Sequence, residues 1–219
     1  MLSAGNDIVA LKSINITRTI QPNFYAKILT PAETALHSKP GLSAIPFEVF
    51  VWLMWSIKES AFKFLQRIQP DILFTPIKFE VQEINIPKSF AINNLGQTEL
   101  TGIGFEQFPA ITSTLFFENR TVYSNSLLYT ELISTVVNAG KNFSQTHWGI
   151  KLIENAGAEN QSTEVRAFAI TCLQQALGDK RISINKNKQQ IPIAIQNQAR
   201  VLPISLSHHE NWVGYSFQF

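Results

Sequence analysis

The stretch Trp55-Ser56-Ile57-Lys58-Glu59-Ser60-Ala61-Phe62-Lys63 closes a long apolar run and carries an aromatic ring, a carboxylate and an ammonium at positions 55, 59 and 63. On a helix this i, i+4, i+8 spacing places all three on one stripe. A Glu-to-Lys pair so spaced is equally accounted for as a surface ion pair worth about 0.2–0.5 kcal/mol, so its chemistry depends on what it meets. Asp7, within the apolar stretch 4–11, is one candidate, because buried carboxylates are rare unless paired or metal-bound. Its neighbours Gly5 and Asn6 also allow a turn-forming Asp. If strand and helix pack together, Asp7 and Glu59 suffice for Mg²⁺, which takes one or two carboxylates and fills its shell with phosphate oxygens and water. Lys63 would then face the same phosphate, an arrangement suited to phosphoryl chemistry by positioning and charge neutralisation. The sequence has no glycine-rich phosphate loop of either common pattern, which leaves side chains and strand ends to hold a nucleotide. His208 and His209 end a strand-like segment near the carboxy terminus; His209, like His37 and His147, reads as an ordinary surface histidine.

The elements that must position these groups follow from local pattern. Residues 4–11 read as a short buried strand. Thr30-Pro31-Ala32-Glu33 has the cap, first-turn proline and return carboxylate of a helix start, and that helix should stop before Pro40-Gly41. Residues 46–68 are apolar on nearly every face as far as Lys58, which predicts a central helix. Residues 77–82 alternate as a half-exposed strand, and 89–137 stay extended between turn residues, as in an antiparallel meander. A second unit opens with a strand at 147–153 and a helix at 162–177, capped by Ser162-Thr163-Glu164 and stopped by Gly178. Short strands follow near 182, 191–195, 203–206 and 212–219. Gly149-Ile150-Lys151-Leu152-Ile153 has the layout of Gly5-Asn6-Asp7-Ile8-Val9, hinting at a repeat in which Lys151 replaces the acid.

Composition narrows the class. The chain has 219 residues, 45% hydrophobic and only 16% charged, with 16 Phe; the charged share is well under the ~25% usual in soluble domains, so the core is heavy. A net charge of +2 without a basic run argues against nucleic acid. A single cysteine, Cys172, excludes an internal disulfide and suits a reducing compartment; it reads as a small core residue. The start of the chain lacks the pattern of a signal peptide, and the most apolar window, 42–57, is too short to span a bilayer. A cytoplasmic protein is expected.

Three segments carry a resemblance to a known family. Gly5-x-Asp7-Ile8-Val9, Phe24-Tyr25-x-Lys27-Ile28-Leu29-Thr30-x-x-Glu33 and Trp55-Ser56-x-Lys58-Glu59-Ser60-x-x-Lys63 resemble the 4′-phosphopantetheinyl transferases, and Phe74-x-Pro76-x-x-Phe79-x-Val81 is similar to the strand that follows in that family. Arg166, the stretch 173–178, Ile204-Ser205-Leu206-Ser207-His208 and Trp212-Val213 resemble the other half of its larger, two-half members. There the Ser-His segment comes first; here the halves stand in swapped order. The family's fold is α+β, two pseudo-symmetric halves each with a long helix packed on a small antiparallel sheet, expected here as residues 1–145 and 146–219.

The resemblance implies transfer of 4′-phosphopantetheine from coenzyme A to a serine of an apo acyl or peptidyl carrier protein, in the manner of a holo-acyl-carrier-protein synthase, with release of 3′,5′-ADP. It implies Mg²⁺, or Mn²⁺ in its place, on Asp7 and Glu59; Lys63 on the phosphate under attack; Glu59 as base; and His208, Arg166, Lys58 and Ser56 on coenzyme A. Lys12, Arg18 and Lys27, flanking the first strand, are candidate cations for an acidic carrier helix. A monomer with pseudo-dimeric halves, bound to neither membrane nor nucleic acid, is expected. Val9 stands where two-half members carry a second acid, Gln189-Gln190-Ile191-Pro192 where they carry Gly-Lys-Pro, and residues from about 84 to 160 align with none of the family's segments. These departures motivate the alternative of a coenzyme A- or carrier-binding protein without turnover.

Overall fold

A computed structural model describes residues 3–219. The chain begins with strand β1 (Gly5–Ala10), buried along its whole length. Two short helices, α1 (Ile16–Thr19) and α2 (Pro22–Tyr25), lead to α3 (Pro31–Leu36) and the long α4 (Phe47–Leu65). The strands β2 (Glu80–Asn85), β3 (Glu99–Ile103), β4 (Ile111–Phe117), β5 (Arg120–Leu128) and β6 (Leu132–Asn138) follow. The remainder consists of β7 (Thr146–Leu152), α5 (Ala158–Leu177), β8 (Ile182–Lys186), β9 (Pro192–Gln196), β10 (Arg200–His209) and β11 (Trp212–Gln218).

The strands form two antiparallel sheets, ordered β1-β6-β5-β4-β2 and β3-β7-β11-β10-β9-β8. Without β3 the two orders are the same plan: an opening strand, a long helix, then four strands of which the last returns to pair with the first. The fold is α+β, with one long helix on each sheet. β3 departs from the plan; it lies between β2 and β4 in sequence but pairs with β7, so the first part of the chain supplies the second sheet's edge.

The glycines of the short repeat have one physical role. A Cβ at Gly5 would overlap the Ser60 carbonyl and crowd the Phe64 backbone of α4, and one at Gly149 would run into Tyr215 and Phe168 of β11 and α5. Each opening strand thus lies hard against its own helix or sheet, which brings the residue two places on, Asp7 or Lys151, to the helix. Lys151 Nζ stands 3.2 Å from Glu164 Oε2 of α5, an ion pair with the charges reversed relative to Asp7 and Lys63.

Sequence expectations fail at element ends. The half-exposed strand begins at Glu80, because Pro76–Lys78 form a 3-10 turn that leaves Phe79 fully buried. α5 starts at Ala158, ahead of the capping residues expected at Ser162: Asn155 accepts the Gly157 amide at 2.8 Å, and Ser162 instead receives Arg166 one turn on. Its far end is at Gly178, in the left-handed region at φ 63°. Cys172 is half-exposed and packs on the margin of the second core.

The halves meet across β1, β10 and β11. Ile8, Ala10, Leu132, Ile150 and Trp212 make a shared apolar cluster. Along its edge the Asn6 amide donates to Ser205 Oγ at 2.9 Å, Asn6 Nδ2 to Ser207 Oγ at 2.6 Å, and the Ala10 amide to His209 Nδ1 at 3.0 Å. No helix among the described residues is long and apolar enough to cross a membrane.

Candidate functional site

β1 and α4 bring the acid and the stripe together. Lys63 Nζ lies 2.9 Å from Asp7 Oδ1 and 3.2 Å from Glu59 Oε1, so one ammonium bridges both carboxylates. Trp55 Nε1 donates to Glu59 Oε2 at 2.7 Å, so the indole both packs and orients that carboxylate. Asp7 is only 4% exposed, whereas the side chains of Lys63 and Glu59 keep 23% and 27% of their surface. The cluster therefore opens to solvent at its Glu59 end.

The charges are held against different costs. Burial pushes the Asp7 carboxyl up to about 6; Lys63 pulls it down and Glu59 pushes it further up. Burial also opposes charge on Lys63, but Asp7 and then Glu59 outweigh it and hold the ammonium above its ordinary value. Asp7 Oδ2 is buried close to the Ser56 hydroxyl, and neither atom completes a well-formed hydrogen bond among the described residues. An orphaned carboxylate oxygen beside a second carboxylate suits a hard divalent cation, for which two protein ligands suffice when phosphate and water complete the shell. Among the described residues no group of three or more His, Cys, Asp or Glu side chains gathers to do so alone.

From the second sheet, His208 is exposed at the end of β10, opposite Val213. Partial burial lowers its pKa first, then the fields of Lys63 and His209; Glu59 and Arg166 also reach it. The ring stands in the same electrostatic neighbourhood as the α4 stripe. Arg166, half-buried on α5, donates to the Ser162 carbonyl at 2.7 Å and to its hydroxyl, and makes no ion pair among the described residues. The charges of Lys63 and Glu59 on α4 and of Arg166 on α5 thus all act on His208, although the α4 pair and His208 lie more than 140 residues apart in sequence.

Lys58 and Ser56 point into the interior rather than toward the open end of the cluster. Lys58 is fully buried, 2.7 Å from Glu33 Oε2 and 2.6 Å from the Ile28 carbonyl. Glu33 in turn accepts the amides of Thr30 and Val81, both at 2.8 Å, and completes the capping box of α3. Burial lowers the Lys58 pKa and Glu33 opposes it. The lysine ties α4 to α3 and β2 and offers nothing to a ligand. Ser56 is also fully enclosed, facing Asp7.

Two residues were missed. His209 is not an idle surface ring: its Nδ1 accepts the Ala10 amide, which leaves Nε2 to donate to Ser13 Oγ at 3.3 Å. Arg67 donates to the carbonyls of Pro192, at 3.0 Å, and Ile204, so the end of α4 clasps β9 and β10. Its pKa falls to about 10 through burial. Arg67 continues the 55, 59, 63 series by four, a signal present in the sequence; nothing local marks His209. Gln190, in the position of the expected lysine, occupies an exposed turn at φ 63°.

Residues 3–110, which contain β1, α4 and the inserted β3, match the family model described as the 4′-phosphopantetheinyl transferase superfamily. No curated protein and no solved structure matches the chain.

Proposed function

We propose, from the chain's membership of the 4′-phosphopantetheinyl transferase superfamily, that it moves 4′-phosphopantetheine from coenzyme A to a serine of an apo carrier protein, as a holo-acyl-carrier-protein synthase does. The observation that carries this reading is the Asp7–Lys63–Glu59 cluster, half open to solvent at Glu59, whose charges act on His208 of the second sheet. In the reaction the serine Oγ forms a bond to the phosphorus that bears the pantetheine, the pyrophosphate P–O bond breaks, and 3′,5′-ADP leaves. Glu59, the more exposed carboxylate, takes the serine proton directly or through water, held in aim by Trp55. Lys63 places its positive charge against the phosphate on which negative charge builds. Mg²⁺ held by Asp7 and Glu59, or Mn²⁺ in its place, would supply further charge neutralisation at the same phosphate. His208 and Arg166 are left to the nucleotide end, where the unpaired guanidinium suits the 3′-phosphate.

The carrier is read as docking on the segment after β1. Lys12, Arg18 and Lys27 are exposed there, with the Arg18 guanidinium 4.9 Å above the Phe24 ring and the exposed Ile16 and Ile20 alongside. Trp52 Nε1, bonded to Thr19 Oγ1 at 3.0 Å, fastens this segment to α4. Cations around apolar side chains suit a partner presenting an acidic helix.

A second reading, a coenzyme A- or carrier-binding protein without turnover, is favoured by one observation: Lys63 sits between the two carboxylates that a metal would use. The test is incubation of the full chain with coenzyme A, Mg²⁺ and several apo carrier proteins, followed by intact mass of the carrier. A phosphopantetheine adduct supports transfer. Retained coenzyme A binding with every carrier unmodified supports the second reading.

A further inference from the structure

Cross-strand partners share a face of a sheet, so Asn85, Thr112 and Asn125 form one row across β2, β4 and β5, and Glu83, Thr114 and Tyr123 form the next. The alternate residues Ile84, Ile111, Leu115 and Val122 pack in the core around α4. Both polar rows therefore lie on the face of the first sheet turned away from α4 and its charged stripe. Two cavities of about 230 and 280 Å³ open over them, and Thr112, Asn125, Lys141 and Phe143 line both.

The chain returning from β3 to β4 adds an aromatic wall. Phe105 stacks on Trp148 with ring centroids 5.0 Å apart, Phe108 meets the same indole edge-on at 5.0 Å, and Phe143 meets Phe105 edge-on at 5.8 Å. Trp148 Nε1 donates to the Gly104 carbonyl at 2.7 Å, which fixes the indole against this segment. The wall is thus formed before any ligand arrives, as small-molecule sites usually are.

Asn125 is the group without a use in the fold. It is only 8% exposed and lines both cavities. Its neighbours Ser124 and Ser126 find hydroxyl partners at 2.6 and 2.9 Å, whereas the Asn125 side chain has none among the described residues. An amide so enclosed costs stability until something bonds to it.

The lining sets the chemistry of that partner. Glu83 and Glu106 face a single ammonium, Lys141, which rests 5.4 Å from the Tyr123 ring centroid; two carboxylates against one cation disfavour a polyanion. Asn85 Nδ2 donates to Glu83 Oε1 at 3.2 Å and steadies that carboxylate. Amide, hydroxyl and carboxylate in adjacent rows offer donors and acceptors at close intervals, as neighbouring hydroxyl groups on one ring require. Phe108 and Phe143 offer apolar surface to the C–H face of the same ring.

We infer that this face of the first sheet binds a neutral sugar, with Asn125 and Thr112 bonding its hydroxyl groups. The site is separate from the Asp7–Lys63–Glu59 cluster and does not rest on the transferase reading. The test is saturation-transfer NMR of the full chain titrated with glucose, galactose, mannose and N-acetylglucosamine in turn. At least one of the four is expected to bind saturably. Asn125→Leu, which keeps the volume of the side chain without its amide, and Thr112→Val, at an exposed position, should each weaken that sugar at least tenfold. Thermal melts check that both fold, and coenzyme A binding should match that of the unaltered chain; if Asn125→Leu does not fold, Thr112→Val decides alone. Absence of saturable binding by all four sugars overturns the inference, and so does a sugar that binds the folded variants as it binds the unaltered protein.

Discussion

Replacing Lys58 by Met separates a ligand-binding lysine from one that holds the core together. The ammonium is fully buried and, among the described residues, bonded only to Glu33 and the Ile28 carbonyl. Its removal leaves the Glu33 carboxylate inside the protein with two backbone amides but no counter-charge. Breaking one side of a buried ion pair costs about 3–5 kcal/mol. The two amides that Glu33 keeps argue for the lower figure, about 3 kcal/mol. For a chain of this size each kcal/mol lowers Tm by about 2–4 °C, so a fall of roughly 6–12 °C is expected in a thermal melt. The double variant Lys58→Met with Glu33→Gln removes the stranded charge and should recover a large part of that loss. Coenzyme A affinity, titrated well below the lowered Tm, should equal that of the unaltered chain. A variant that melts normally but loses coenzyme A would refute the reasoning and restore Lys58 to the ligand site.

Glu59→Gln keeps the Trp55 contact geometry but removes the base; carrier modification should become undetectable by intact mass while the melt stays within a few degrees, and a fully active variant would end the assignment. Asp7→Asn tests the cost of the buried acid. Its folded pKa of about 6 exceeds the unfolded ~3.8, so the native state holds the proton more tightly and stability is lost as pH rises from about 4 to 6. The Asn variant should therefore gain on the unaltered chain across that window, by an amount on the order of 3 kcal/mol at pH 7; a stability gap that does not change with pH contradicts the burial argument. His208→Ala should weaken 3′,5′-ADP binding several-fold and leave the rate at saturating coenzyme A close to normal, which parallel titration and steady-state kinetics would separate.

Much of the scaffold is written locally. Thr30, Pro31 and Glu33 specify the start of α3 through backbone capping, and the apolar run 47–65 specifies a helix too greasy to lie on the surface. The Gly-x-x spacing in β1 and β7 records where a strand presses on its neighbours, which is why five residues revealed a repeat that the sheet orders bear out. Asp7, Glu59 and Lys63 were legible because their types are costly in apolar surroundings. What sequence could not supply is which charge meets which. Lys58 and Lys63 are both lysines on one helix five residues apart, yet one side of α4 turns Lys58 into the core against Glu33 and another turns Lys63 to Asp7. His209 looked idle because its partners, Ala10 and Ser13, are almost 200 residues away, and β3 read as part of a meander because strand propensity does not name a pairing partner. Periodicity and capping are interactions between near neighbours and can be read along the chain. Pairing across the half-to-half contact depends on the packing of whole sheets and helices, and there the tertiary structure alone decided that the α4 stripe would meet Asp7.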